Sequence, residues 1–235
     1  MAHLSAELGL RPGRVALDLA AGTGKLTRAL AGTGAELIAV EPVAGMRRAL
    51  AASLPSLRTL EGTAEAIPLT DTSVDAVLVA QAFHWFQVSA AAAEIHRVLR
   101  PGGGLGVLWN SWDERVAWVA RVQELLHRFV GAAPQQRSSR WEAELAATGL
   151  FGPIERAEFA NVVVGGVDVL RARAASVSYI SALPDAERAR VLDEVAAIVA
   201  DDPSLAGRDQ FEMPYTTTVA WCRALPAGGG RRAGA

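Results

Sequence analysis

The chain has 235 residues, of which 51% are hydrophobic and 20% are charged, a composition typical of a folded globular protein rather than a disordered one. Its formal net charge of -2 gives no overall basic field, so a nucleic-acid partner is not expected. A single cysteine, Cys222, excludes an intramolecular disulfide and a tetrathiolate metal site, and we expect no metal, no membrane span and a cytoplasmic location.

The first half of the chain alternates short apolar runs with helix-forming stretches. Strands are predicted at 15–19, 36–40, 57–62, 74–80 and 103–110, and helices at 25–30, 44–53 and 90–99. The strand runs are continuous in valine, leucine and isoleucine, which is typical of strands that are buried on both faces. Strands that are separated by helices predict a parallel sheet, and such sheets bind ligands beyond the carboxyl ends of their strands.

The second half has a different pattern. Helices are predicted at 116–130 and 141–148, a strand at 155–164, a helical insertion at about 167–201 and a final strand at 212–225. We therefore expect one domain over 1–225, with a cofactor-binding half at 1–110 and a substrate half at 111–225. The tail 226–235 has nothing to bury and is predicted to be disordered.

Two glycines follow the first strand in the segment ALDLAAGTGKLT. A phosphate-cradling loop would need glycine where Leu19 stands and serine or threonine where Leu26 stands, so nucleotide hydrolysis is not expected. A dinucleotide fingerprint matches at Gly22 and Gly24 but has Thr27 at its third glycine position. A nicotinamide-dependent oxidoreductase is therefore an alternative that this loop supports only in part.

Two acidic residues narrow the choice of ligand. Asp18 lies in an otherwise apolar strand, where a carboxylate is costly to bury without a hydrogen-bond donor or a cation beside it. Glu41 ends the second strand, where its carboxylate can accept both hydroxyls of a ribose. This combination suits a ligand with an adenosyl ribose and a cationic amino-acid end, and S-adenosylmethionine has both.

These segments together resemble the class I S-adenosylmethionine-dependent methyltransferases. The similar segments are LDLAAGTGKLT, VEP, GTAEAIPLTDTSVDAVLVAQAFHWF and EIHRVLRPGGGLGVLWN, and the segments FHWF and SYISALP are similar to the trans-aconitate-methyltransferase-like group of small-molecule enzymes. The resemblance implies a Rossmann-like α/β fold with a seven-stranded, mostly parallel sheet, an antiparallel C-terminal strand and helices on both faces. It also implies methyl transfer from S-adenosylmethionine to a small organic acceptor.

The resemblance further implies which residues bind the cofactor. The loop after strand one is expected at its methionine part, the end of strand two at its ribose and adenine, the loop after strand three at the adenine edge, and the end of strand four beside the methyl group. In that order the residues are Asp18, Ala20, Gly22, Thr23 and Gly24, then Glu41, Pro42 and Met46, then Thr63, Ala64 and Glu65, and finally Gln81 and Phe83. For Asp18 two roles stay open, since it can support the loop or meet the cofactor's amino group.

His84 is the histidine expected near the methyl group, where an ordinary pKa near 6.5 suits a general base. A place in the pocket wall is its alternative role. Substrate contacts are expected from Trp85, Trp109, Asn110 and Tyr179, with core packing as the alternative for the aromatic residues. Displacement at a methyl group needs no activated nucleophile, and it needs a base only when the acceptor carries a proton.

Family members with a similar core carry an N-terminal segment over the cofactor, whereas fourteen residues precede the first strand here. We therefore expect either a start further upstream or an open site with weak affinity for the cofactor. Besides the oxidoreductase, a non-catalytic methyltransferase-like binding protein is an alternative function. The expected partner is a small-molecule acceptor, and the expected state is a monomer or a homodimer.

Overall fold

The computed structural model describes residues 2–130 and 140–226 of the chain. Its strands are β1 (Val15–Leu19), β2 (Glu36–Val40), β3 (Arg58–Leu60), β4 (Val74–Ala80), β5 (Leu99–Trp112), β6 (Glu155–Gly165) and β7 (Phe211–Arg223). Within the described residues they form one seven-stranded sheet in the order β3-β2-β1-β4-β5-β7-β6. Strands β1 to β5 pair in parallel, and the C-terminal strands are antiparallel. The Rossmann-like fold class expected from the sequence is confirmed.

The helices predicted at 25–30, 44–53, 90–99, 116–130 and 141–148 are present within three residues of those bounds. The helices of the described residues are α1 (Ala2–Leu8), α2 (Lys25–Leu30), α3 (Ala44–Ser53), α4 (Val88–Val98), α5 (Ala117–His127), α6 (Arg140–Ala147), α7 (Val167–Ala175), α8 (Ser178–Ser181) and α9 (Asp185–Ala200). The predicted insertion thus consists of three helices, α7 to α9. Among the helices that the structure describes, none is both long enough and apolar enough to cross a membrane.

The chain folds into two compact units, and each unit is assembled from separate segments. Of the described residues, the first unit comprises 2–109, 140–157 and 219–226, and the second comprises 110–130 and 158–218. The expected halves of one domain, 1–110 and 111–225, stay a prediction. Except for Pro226, the tail predicted to be disordered lies outside the described residues.

The parallel strands of the first unit are buried on both faces, as their continuous apolar sequences predict. Leu17 and Val77 belong to one apolar cluster, whereas Ala16 and Leu78 belong to another. Neighbouring residues of a strand point to opposite faces of the sheet, so the two clusters lie on its two sides. The strand ends are therefore the part of these strands that is available for a ligand.

An ion-pair cluster fixes the amino ends of the parallel strands. The Asp75 carboxylate accepts hydrogen bonds from the Val15 amide at 2.8 Å and from the guanidinium groups of Arg14 and Arg100, both at 2.7 Å. Burial alone would raise the pKa of Asp75, but these donors and cations outweigh it and hold that pKa below its ordinary value. The cluster thus joins the start of β1 to the start of β4 and to Arg100 of β5.

Helix α1 packs directly on the backbone of β5. A Cβ atom at Gly104 would lie 2.8 Å from Cδ2 of Leu8, and one at Gly106 would lie 2.9 Å from Cδ1 of Leu8 and 3.2 Å from Cδ1 of Leu4. Such distances leave no room for a side chain on this face of the strand. The two glycines therefore form the surface on which the two leucines pack.

The second unit has an apolar core of its own. It is formed by residues of α5, α7, α8 and α9 together with the parts of β5 and β7 that belong to this unit. Trp118 of α5 meets Phe211 of β7 edge to face, with 5.5 Å between the ring centroids. Val195 and Leu170 are fully buried in the same core. The apolar residues of the predicted helical insertion are thus buried within this unit.

Candidate cofactor site

The loop after β1 has a left-handed backbone at three of its residues. Ala20, Gly22 and Gly24 have φ angles of 57°, 57° and 83°. A Cβ at Gly24 would lie 2.3 Å from Cδ1 of the buried Leu50, so this glycine allows α2 to approach α3. At Gly22 the nearest atom would be Sδ of Met46, at 4.0 Å. Of the two glycines predicted to bind a ligand, only Gly22 has free space beside its Cα.

Asp18 supports the start of helix α2. Its carboxylate accepts hydrogen bonds from the Thr27 hydroxyl, at 2.5 Å, and from the Thr27 backbone amide. That amide belongs to the first helical turn, whose N–H groups have no partner within the helix. Complete burial is the main cause that raises the pKa of Asp18 to about 7, and the nearby charge of Glu41 adds to it. The loop-supporting role left open by the sequence is thus present in the structure.

Glu41 connects the loops that follow β1 and β2. One carboxylate oxygen accepts the Gly22 amide at 2.8 Å, and the other accepts the Val43 amide at 2.9 Å. Only 3% of its surface is exposed. The acidic residue predicted at the end of β2 therefore lies directly beside the glycine that has free space, and its orientation is fixed by two backbone donors.

Pro42 and Met46 lie near the same loop and are exposed. Sequence analysis missed the residue that holds this segment, Arg47 of α3. Its guanidinium donates to the backbone oxygens of Glu41, at 2.9 Å, and Pro42, at 2.5 Å, and also to the Glu61 carboxylate at 2.6 Å. The only signal in the sequence is the position of Arg47 in the first turn of a helix that directly follows VEP.

The residues predicted at the adenine edge lie in a turn after β3. Thr63 is exposed and Ala64 is buried in the apolar core of the first unit. Glu65 accepts the backbone amide of Gln87 at 2.9 Å. Of these three side chains, that of Thr63 is the most accessible to a ligand.

The end of β4 contains a strained residue. Gln81 has a φ angle of 61°, uncommon for a residue with a side chain, and Ala20 has a similar angle at the end of the neighbouring strand β1. Strain of this kind clusters at ligand sites, where the surrounding fold maintains it. The Phe83 ring is fully buried against Trp141, with centroids 4.9 Å apart, so core packing accounts for that side chain.

His84 is partly buried in the single 3₁₀ turn that follows β4. Burial lowers its pKa below the ordinary 6.5, which favours the neutral imidazole at neutral pH. Its Nδ1 atom is buried and has no hydrogen-bond partner among the described residues. The base role of His84 stays a prediction, because the burial that favours the neutral ring also disfavours the protonated form that a base must reach.

The predicted substrate residues are divided between the two units. In the first unit, Trp85 is 53% exposed, whereas Trp109 is buried against Trp141 with 5.2 Å between the ring centroids. In the second unit, the Asn110 side-chain oxygen accepts bonds from Thr217 and from another asparagine, and Tyr179 is partly buried against the apolar core. Their roles toward a substrate stay predictions.

Comparison with known proteins shows which family this chain resembles in sequence. A family model described as a methyltransferase domain matches residues 17–107. An uncharacterised methyltransferase of Mycobacterium tuberculosis is 42% identical over 206 residues, which are 87% of this chain and 81% of that protein. A methyltransferase-like protein of Schizosaccharomyces pombe is 39% identical over 204 residues, which are 86% of this chain and 79% of that protein.

A solved structure supports the same assignment at the level of the fold. The structure is that of a protein of Anaeromyxobacter dehalogenans assigned as a type II methyltransferase. It is 25% identical to this chain, has a TM-score of 0.68 and is matched over 95% of each chain. Since the two relatives exceed 30% identity over most of their own length, this chain belongs to the methyltransferase family.

Proposed function

We propose that this chain transfers a methyl group from S-adenosylmethionine to a small organic acceptor. The observation that carries the proposal is the position of Glu41 beside Gly22, at 2.8 Å, at the carboxyl ends of the parallel strands. Each carboxylate oxygen has two lone pairs, so Glu41 can accept ribose hydroxyls and keep both of its backbone hydrogen bonds. The free space at Gly22 allows the ligand to approach the backbone.

The other residues of the loop fit the same ligand. The exposed Met46 side chain lies beside Gly22 and offers an apolar surface for an adenine ring, and Asp18 holds the loop through Thr27. S-adenosylmethionine, when bound, supplies an electrophilic methyl group on a sulfonium. The chain's own part is to orient the two reactants and to exclude water.

We assign the acceptor to the small organic molecules. The net charge of -2 and the segments FHWF and SYISALP, which are similar to the trans-aconitate-methyltransferase-like group, support that assignment. We propose His84 as the base that takes up the proton when the acceptor is a hydroxyl or another protonated group, and no base is needed when the acceptor is already anionic. We further propose that the protein acts in the cytoplasm as a monomer or a homodimer.

The test is calorimetric titration of the full chain with S-adenosylhomocysteine, with NAD titrated in parallel. We expect saturable one-to-one binding that weakens at least tenfold in Glu41→Ala, because hydrogen bonds to a charged group contribute about 1.5–3 kcal/mol. Glu36→Ala is the matched control, since Glu36 is an exposed acid at the opposite end of β2. That variant is expected to bind as the unchanged chain does.

Three outcomes would contradict the proposal. Binding of NAD in place of S-adenosylhomocysteine would indicate the oxidoreductase. Equal affinity in Glu41→Ala, with circular dichroism showing a folded protein, would remove the role given to this carboxylate. Binding of the cofactor without turnover on any small acceptor would indicate a non-catalytic binding protein.

A further inference from the structure

The second unit contains a cation that is held in place by an aromatic residue. The Nε–H group of Arg173, on α7, donates to the Tyr215 hydroxyl at 2.5 Å. The central carbon of the guanidinium lies 4.6 Å from the centroid of the same ring. Tyr215 is itself buried and lies against Trp112, with 4.8 Å between the ring centroids. The hydrogen bond and the ring contact therefore hold the guanidinium in a defined position.

Among the described residues, Arg173 differs from its neighbours in having no carboxylate paired with its charge. Arg171 on the same helix pairs with Asp193 at 2.7 Å, and Arg188 on α9 pairs with Asp185. Within the described part of the chain, Arg173 forms no ion pair with a carboxylate, and its four terminal N–H groups have no protein acceptor. Burial raises the pKa of Tyr215 despite the nearby cation, so the phenol stays neutral and does not balance the charge.

Polar side chains continue from this cation along the same face of the sheet. Tyr215 and Thr217 are two residues apart on β7 and point to one face. The Asn110 side-chain oxygen accepts from the Thr217 hydroxyl at 2.9 Å and from the Asn161 amide at 3.1 Å. Three strands of the second unit thus contribute to a row of oriented hydrogen-bonding groups next to Tyr215.

We propose that the second unit binds a small organic monocarboxylate at Arg173. A planar guanidinium with two parallel N–H groups matches a carboxylate in shape. The charge also matches, because one cation balances one carboxylate but only half of a doubly charged phosphate. The proposal rests on contacts within this unit alone and does not depend on the identity of the methyl donor.

The test is titration of the ¹⁵N-labelled full chain with benzoate, followed through the Nε–H signal of Arg173. Because this N–H is hydrogen-bonded to Tyr215, its signal is expected to be resolved, and its loss in Arg173→Gln identifies it. We expect saturable shifts with benzoate and none with benzamide, which has the same shape without the charge. Affinity for benzoate, measured from backbone amide shifts, is expected to fall at least tenfold in Arg173→Gln.

Arg171→Gln is the matched control, because it removes a cation two residues away and is expected to leave benzoate affinity unchanged. If Arg173→Gln does not fold, Arg173→Lys retains the charge without the planar group and is expected to bind several-fold more weakly. Equal shifts with benzamide, full affinity in the folded Arg173 variants, or tighter binding of inorganic phosphate would overturn the proposal. Glu41→Ala is expected to bind benzoate normally, which keeps this test separate from that of the cofactor.

Discussion

Asp18 and Asp75 are both buried acids of the first unit, and their surroundings act on their pKa values in opposite directions. Asp75 has two arginines beside it, and its pKa lies below the ordinary range. Asp18 has only the Thr27 donors and a second acid, Glu41, and burial raises its pKa to about 7. Burial alone therefore does not determine how an acid affects stability, since the donors and charges around it decide the sign.

The first prediction concerns the pH dependence that Asp18 causes. Because its pKa is higher in the folded state than in the unfolded state, Asp18 stabilises the fold fully below about pH 4, and this contribution is lost as the pH rises to about 7. Asp18→Asn is neutral throughout that range. Relative to the unchanged chain, the variant is expected to gain stability between pH 4.5 and 7.5, by at most about 4 kcal/mol at roughly 1.4 kcal/mol per pKa unit.

Urea unfolding across this pH range measures the effect. Asp75→Asn provides a comparison of opposite sign, because a lowered pKa in the folded state gives stability that is present above the unfolded pKa and is lost on acidification. That variant should be less stable than the unchanged chain at pH 7, and the difference should shrink at acidic pH. A constant difference between Asp18→Asn and the unchanged chain would disprove the assignment for Asp18.

At the level of elements, the contact between α2 and α3 depends on Gly24. With a φ of 83° and a Cβ position 2.3 Å from Leu50, Gly24→Ala combines backbone strain with a clash in a buried place. We expect a loss of about 2–4 kcal/mol in the free energy of unfolding, measured with urea. Gly22→Ala has a similar φ but no clash, so it should lose only about 1 kcal/mol and should instead weaken S-adenosylhomocysteine binding.

The decisive comparison is the double variant Gly24→Ala with Leu50→Ala. Shortening Leu50 removes the atom that the new methyl group would meet, so the two changes together should cost less than the sum of their separate effects. Additive losses would show that the strain at Gly24 is purely a backbone effect. Equal stability of Gly24→Ala and the unchanged chain would contradict the packing role altogether.

The sequence predicted elements well where a single local signal dominates. Strands β1, β2 and β4 lie at their predicted positions because their apolar runs are buried on both faces. Strand β5 was predicted from residue 103, but it begins at Leu99. The segment RPGGG is typical of a turn, yet pairing of Leu99 with Val74 across a register shift keeps the backbone extended. Long-range pairing here outweighs local preference.

The candidate site shows the same division between local and long-range information. The residues near Gly22 could be predicted, because each follows a strand of a parallel sheet and the carboxyl ends of such strands lie at the same edge of the sheet. The contact between Arg173 and Tyr215 joins residues that lie far apart in the sequence, and neither belongs to a pattern with spacing of its own. Gly24 had a predicted role at the ligand, but a packing requirement that only the folded chain reveals also explains it.

At the scale of the whole molecule, the segment matched by the family model, residues 17–107, does not include all of the residues that pack in the first unit. Trp141 lies against both Phe83 and Trp109, and the Ala224 amide donates to the Gly103 oxygen at 2.9 Å. A fragment of residues 1–112 lacks these partners. We expect it to show no cooperative thermal transition by circular dichroism, whereas the full chain shows one. A cooperative transition in the fragment would contradict this interpretation of the first unit.

The packing of Leu4 and Leu8 on the glycines of β5 also has a kinetic consequence. Helix α1 has only seven residues, too few to persist alone in water, and the strand that it packs on is made much later in synthesis. Closing so long a loop is entropically costly before β5 is in place. We therefore expect the helix to dock after the main barrier to folding has been crossed, so that loss of its contacts speeds unfolding and leaves the folding rate nearly unchanged.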